Sequence, residues 1–221
     1  TWTNTHFRAV NNAGRVTGMS DNLGPDGANG VGLTEGFVYD PASQVFTVFA
    51  ESFTIPGSNP PVLASFADSR VTIAHGINTA NQVVGSVWLP RTITDRTPGR
   101  WGFLRQPDGT TTLFRAIDND TRTAPRGIND NGVMVGFVTF PNPVDPVNLW
   151  PIQHGFVGTS AGYQLLDVDF PGAVNTYAAG INNSGQIAGS APQSSTSLNI
   201  VSVFRYTPGS GWLFIAGTSK Y

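Results

Sequence analysis

Val10-Asn11-Asn12-Ala13-Gly14-Arg15-Val16-Thr17-Gly18 is a phrase that the chain uses four times. It returns as Ile77-Asn78 to Gly85, Ile128-Asn129 to Gly136 and Ile181-Asn182 to Gly189. Each copy sets a β-branched residue before Asn, a turn residue three positions after it and a glycine seven positions after it. The turn residue is Gly14, Asn81, Gly132 or Gly185. Asn is the ordinary residue that best tolerates the left-handed backbone region, so three glycines and one Asn imply a required positive φ rather than small size. The phrase therefore reads as a hairpin turn in which Asn11, Asn78, Asn129 and Asn182 cap the turn backbone with their side chains.

Working outward, a Thr lies six residues before each of these Asn, at Thr5, Thr72, Thr123 and Thr176. Downstream comes an apolar strand around Phe: Gly36-Phe37-Val38-Tyr39, Gly102-Phe103-Leu104, Gly155-Phe156-Val157 and Val203-Phe204-Arg205-Tyr206. A further strand follows each, as in Val45-Phe46-Thr47-Val48-Phe49 and Trp212-Leu213-Phe214-Ile215. The reading is four strands per unit and four units, approximately 4–70, 71–121, 122–174 and 175–221, in a single repeat domain over 1–221. The first unit carries an insertion near 51–70, where Pro60-Pro61-Val62-Leu63-Ala64-Ser65-Phe66-Ala67 has proline at a helix-start position and predicts a short helix. Elsewhere Gly, Pro and Asn interrupt every helical periodicity.

A repeat of about 50 residues with four short strands has the size of one blade of a β-propeller, and four blades account for the chain. The Val-x-Gly strand then belongs near the axis, where neighbouring backbones approach closely. The alternative is a β-sandwich or a stacked repeat sheet. Edge chemistry bears on the choice. Free strand edges are usually guarded by Lys, and the single Lys here is Lys220. The edges are expected to close on themselves or to pair with other copies.

Composition narrows the function. Charged residues make up 12% of the chain against roughly 25% in an average protein, and the formal net charge is −2. No basic run exists to supply the electrostatic attraction that nucleic-acid binding needs. No stretch of 18 apolar residues predicts membrane insertion. With no cysteine, thiolate zinc sites, disulfides and a Cys nucleophile are all excluded. A chain opening at Thr1 and rich in Asn and Thr is read as a processed, secreted product.

The run Asp169-Phe170-Pro171-Gly172-Ala173-Val174-Asn175-Thr176-Tyr177-Ala178-Ala179-Gly180-Ile181-Asn182-Asn183-Ser184-Gly185-Gln186-Ile187-Ala188-Gly189, preceded by His154-Gly155-Phe156-Val157, resembles the tandem HAF-type repeats of secreted bacterial proteins. The likeness is close around 150–190, recognisable at 101–138 and 71–88, and degenerate at 4–40 and after 198. It implies export and a repetitive all-β domain, and it brings no catalytic residue.

For chemistry, the loops 20–34, 89–100 and 139–152 vary while the strands repeat, which marks them as the place for recognition. Trp88, Trp101 and Trp150, with Trp2, lie in or beside them, accompanied by Arg91, Arg96, Arg100 and Asn148. A flat aromatic beside amide and guanidinium groups suits a sugar ring, whose CH face is apolar and whose hydroxyls need partners. The expected partner is an extracellular glycan or protein, or copies of the chain itself, with carbohydrate the favoured class. The alternatives are a self-assembling filament or surface-layer subunit, and a hydrolase or lyase acting on an extracellular polymer. No cofactor is expected. Calcium is the one ion considered, with Asp118 and Asp120 as weak candidate ligands and Asp167 and Asp169 weaker still, because neither pair has an EF-hand spacing. Pro208-Gly209-Ser210-Gly211 has one feature of a nucleophile elbow but no helix after it.

Overall fold

The computed structural model describes residues 2–22, 33–58, 61–69, 71–89, 100–118, 120, 122–140, 152–166, 175–192 and 200–219. The protein is all-β. Among the described residues there are 18 strands and one turn of 3-10 helix. It divides into two compact units, Thr1–Phe114 and Arg115–Tyr221.

The first unit holds two four-stranded antiparallel meanders. One is β1 (Trp2–Val10), β2 (Val16–Asn22), β3 (Leu33–Asp40) and β4 (Val45–Val48). After an excursion, β5 (Ser52–Thr54) and β6 (Leu63–Ser65), the second meander is β7 (Val71–Ile77), β8 (Val83–Trp88), β9 (Arg100–Arg105) and β10 (Thr111–Phe114). A single parallel bridge, Thr34 to Val71, joins the two. The second unit repeats the plan. Its third meander is β11 (Arg122–Ile128), β12 (Met134–Phe140), β13 (Ile152–Thr159) and β14 (Gly162–Leu166). The fourth is β15 (Tyr177–Ile181), β16 (Ile187–Pro192), β17 (Ile200–Thr207) and β18 (Gly211–Ser219).

The repeated phrase forms the turn between the first two strands of every meander. Gly14, Asn81, Gly132 and Gly185 stand at φ 79, 62, 76 and 76°. An L-residue with a Cβ pays about 1–2 kcal/mol to sit there, which Asn tolerates best. The leading Asn closes the turn from both sides. The Gly14 N–H donates to Asn11 O at 2.9 Å, and Asn11 Oδ1 accepts from Ala13 and Arg15 N–H at 3.1 and 3.0 Å. Asn129 Oδ1 accepts likewise from Asn131 and Val133, and Asn182 Oδ1 from Ser184 and Gln186.

The remaining Asn hydrogens link neighbouring turns inside each unit. Asn11 Nδ2 donates to Asn78 O at 3.0 Å and to Asn81 Oδ1 at 2.9 Å. Asn129 Nδ2 donates to Asn182 O at 3.1 Å. Asn78 and Asn182 Nδ2 donate to Gln82 and Gln186 Oε1 of their own hairpins. One residue type thus fixes both the turn and the stacking of one meander on the next.

The glycine seven after each Asn has a different cause from the one the sequence suggested. The first strand of each meander carries a bulge, skipping Arg8, His75, Arg126 or Ala179 in its pairing with the second. The bulge throws a carbonyl oxygen, of His6, Ile73, Ala124 or Tyr177, onto Gly18, Gly85, Gly136 or Gly189, and a Cβ there would overlap it. The close approach therefore comes from the glycine's own hairpin partner.

Four equivalent phenylalanines, Phe37, Phe103, Phe156 and Phe204, are the largest fully buried side chains, none more than 1% exposed. In the first unit the core collects Phe49, Phe53, Phe66, Trp101 and Phe103. In the second it is Val135, Leu166, Ala178, Ile187, Ala191 and Phe204. The expected helix in the insertion is replaced by the β5–β6 pair, followed by 3-10 helix over Phe66–Asp68. Leu63-Ala64-Ser65 runs exposed, buried, half-buried, a period of two that turns Ala64 inward with Phe53.

Candidate functional site

In every meander the Asn turn joins strands one and two, so the connection from strand two to strand three leaves from the opposite end. The three loops singled out in the sequence, 20–34, 89–100 and 139–152, are these connections. Most of each, residues 23–32, 90–99 and 141–151, lies outside the described residues, and with them lie Arg91, Arg96, Asn148 and Trp150, as do Asp167, Asp169 and the Trp2 side chain.

The base of one loop is well defined. Trp88 ends β8 and Arg100 begins β9, and the two are direct cross-strand partners. The strand alternation turns Trp88 outward, 40% exposed, while Val87 beside it is fully buried. The Arg100 guanidinium lies over the Trp88 ring, 5.6 Å from its centroid. Such a contact is worth about 0.5–1 kcal/mol at an exposed site and holds the ring in one orientation. Burial pushes the Arg100 pKa below its ordinary value.

Trp101, expected beside them, faces the other way. It is 7% exposed and belongs to the core of the first unit, because consecutive strand residues point to opposite faces. It is a packing residue, and its indole offers no face to a ligand.

The other sequence candidates go to structure. Asp120 is buried, with its carboxylate accepting from Arg115 Nη1 at 2.8 Å and from Thr123 Oγ1. Burial raises its pKa above the usual carboxylate range against these two hydrogen bonds, which act the other way. Asp118 is exposed, and no group of three or more His, Cys, Asp or Glu able to hold a metal occurs among the described residues. Ser210 lies in the tight turn between β17 and β18, its N–H donating to Thr207 O and flanked by Gly209 and Gly211 at φ 76 and 80°.

Two hollows in the first unit had not been read from the sequence. One, about 190 Å³, is apolar and lined by Thr5, Ser20, Phe37, Phe46 and Val48. The other, about 180 Å³, is polar. Its wall includes Arg15 and Asp40, paired at 2.8 Å, together with Asn81 and Arg105. Arg105 in turn donates to Glu51 and stacks 4.8 Å from the Phe49 ring. The signal for the polar hollow was in the repeat: Arg15 follows the turn glycine where the other copies have Gln82, Val133 and Gln186.

No protein family and no curated protein matches the chain. Among solved structures it is similar to the β-propeller domain of the Trilobed protease from Pyrococcus furiosus, described as having an open velcro topology. That likeness covers 97% of this chain and 72% of that one at 9% identity with a TM-score of 0.41. No argument below rests on it.

Proposed function

We propose that each meander is one blade of a four-bladed β-propeller and that the chain is an extracellular binding module for carbohydrate. The fold reading is supported by four equivalent meanders in sequence order, and by the Thr and Asn contacts that stack one on the next within each unit. Export rests on the resemblance to HAF-type repeats.

Trp88 carries the functional reading. A large aromatic ring, 40% exposed at the foot of a variable loop and steadied by Arg100, offers an apolar plane beside hydrogen-bond donors. A pyranose needs that combination, with its CH face against the ring and its hydroxyls against the guanidinium. Trp and Arg supply neither a nucleophile nor a general base at neutral pH, which favours binding over hydrolysis.

The test is a glycan array with polysaccharide pull-down on the native chain, Trp88→Ala and Arg100→Ala. Loss of a stacking contact of about 1.4 kcal/mol weakens binding roughly tenfold. A blank array for the native chain, or full retention by Trp88→Ala, refutes the reading.

A further inference from the structure

The polar hollow of the first unit lies at the Asn-turn end of its meanders, away from the variable loops. Its wall is drawn from both meanders. Arg15 precedes β2, Asp40 ends β3, Ser43 and Thr47 stand in the β3–β4 turn and β4, Asn81 belongs to the β7–β8 turn and Arg105 ends β9. Four of these six depart from their own repeat. Arg15 stands where the other copies have Gln82, Val133 and Gln186, and Asn81 where they have Gly14, Gly132 and Gly185. Asp40 stands where they have Gln106, Thr159 and Thr207, and Arg105 where they have Tyr39, Gly158 and Tyr206. The same hairpins form elsewhere in the chain with those other residues, so the fold does not require these four. Their convergence on one hollow has a cause outside the fold.

They present an excess of donors. Arg15 spends Nε and Nη2 on Asp40 Oδ2, at 3.2 and 2.8 Å, and its Nη1 has no hydrogen-bond partner among the described residues. Arg105, only 7% exposed, spends Nε and Nη2 on Glu51 Oε1 and leaves Nη1 a single long contact, 3.4 Å, with Gln106 O. Asn81 accepts from Asn11 through Oδ1 at 2.9 Å, and its Nδ2 has no hydrogen-bond partner among the described residues. Asp40 Oδ1 accepts from the Ala42 N–H at 3.0 Å, and a carboxylate oxygen has room for a second donor. Ser43 and Thr47 add hydroxyls, which donate or accept.

Two guanidinium groups and an amide on one small hollow suit a carboxylate, which takes parallel N–H donors. The charges already present choose among anions. Arg15 is matched by Asp40 and Arg105 by Glu51, so a dianion such as phosphate would set two negative charges against Asp40. A monoanion adds one, and a hydroxyl beside it turns Asp40 from a repelling neighbour into an acceptor. At about 180 Å³ the hollow is smaller than the roughly 300–1,000 Å³ of sites for drug-sized ligands, and it fits one small molecule or one chain end. We propose that it binds a small hydroxylated monocarboxylate, the carboxylate against Arg15, Arg105 and Asn81 and a hydroxyl on Asp40. The hollow shares no residue with Trp88 and Arg100 and lies at the opposite end of the meanders, so binding here stands or falls apart from the carbohydrate reading.

The test is a heteronuclear NMR titration of the native chain at neutral pH with sodium glucuronate, glucose and inorganic phosphate, at matched ionic strength. Glucuronate is expected to give saturable shifts centred on the amides of Ser43, Thr47 and Asn81, and glucose and phosphate none that saturate. Arg15→Gln and Asn81→Gly each restore a residue that another copy carries at that place, so the hairpins keep a sequence that their own repeat accepts. Arg15→Gln is expected to weaken glucuronate binding at least roughly tenfold, the loss of one charge-assisted contact, and Asn81→Gly by less. No saturable binding by the native chain overturns the proposal, as does full retention by Arg15→Gln, or phosphate bound as tightly as glucuronate. Shifts centred on Trp88 and Arg100 instead would overturn it too and give the ligand to the other end of the meanders.

Discussion

At the scale of single residues, the glycines separate into kinds that the sequence shows as one. Gly85 is extended backbone that the carbonyl of Ile73 and the Phe103 ring press against, the ring at 2.6 Å from a would-be Cβ. Gly132 has open space around it but stands at φ 76°. Gly162 has open space and an ordinary φ. Gly85→Ala is therefore expected to cost the upper part of the roughly 1–3 kcal/mol typical of overpacking, or more. Gly132→Ala should cost about 1–2 kcal/mol, while Gly132→Asn, copying Asn81, costs less. Gly162→Ala should be neutral or stabilising by a few tenths of a kcal/mol. Urea unfolding of the four variants checks the order, and an equal loss at Gly85 and Gly162 would sink the bulge explanation. The turn residues were legible because Asn81 breaks the glycine pattern in the one way that names the cause. Trp88 and Trp101 were not separable from each other, since twelve residues, most of them loop, intervene and the register of the following strand decides which indole faces out.

At the scale of elements, the connection from β10 to β11 holds a carboxylate in an unfavourable place. Asp120 is fully covered, and burial outweighs Arg115 and Thr123 in setting its pKa. With the folded value raised above the ordinary 3.8, the folded state binds the proton more tightly than the unfolded state does. The stability this provides is complete below the ordinary value and is lost as pH climbs through the raised one. Asp40 and Asp108, held low chiefly by the N–H groups of Ala42 and Thr110, act with the opposite sign. The native profile therefore mixes both, and the difference between native and Asp120→Asn isolates the buried group. The unfolding free energy of the native chain minus that of Asp120→Asn should fall as pH rises from 3.5 to 7. Parallel curves would mean that the carboxylate is effectively solvated. The strands themselves were readable from alternation and Phe spacing. The β5–β6 hairpin was not, because two prolines before a short apolar run suit a helix start and a strand equally, and what decides is the core formed by Phe49, Phe53 and Phe103 that Ala64 joins.

At the scale of the whole chain, four repeats are written in the sequence but their grouping in pairs is not. No linker composition marks the boundary between Phe114 and Arg115, and the pairing is carried by contacts whose residues look alike in every copy. Inside the two units Asn11 and Asn129 reach forward to the next turn, and Asn78 and Asn182 also bind a Gln of their own hairpins, Gln82 and Gln186. Each unit also has its own hydrophobic cluster, built around Phe103 in the first and Phe204 in the second. Two separate cores predict two cooperative transitions, each answering to its own residues. Phe103→Ala and Phe204→Ala each remove a fully buried ring at a cost of about 3–5 kcal/mol. In a unit of this size that shifts a melting midpoint by upwards of about 10 °C. Calorimetry should resolve two transitions, with Phe103→Ala lowering one and Phe204→Ala the other. Fluorescence assigns them, since Trp101 is buried in the first unit and Trp212 packs against Phe204 at 4.9 Å in the second. A single transition lowered by both substitutions would show that the meanders unfold as one body, and that the pairing seen in their contacts carries no separate stability.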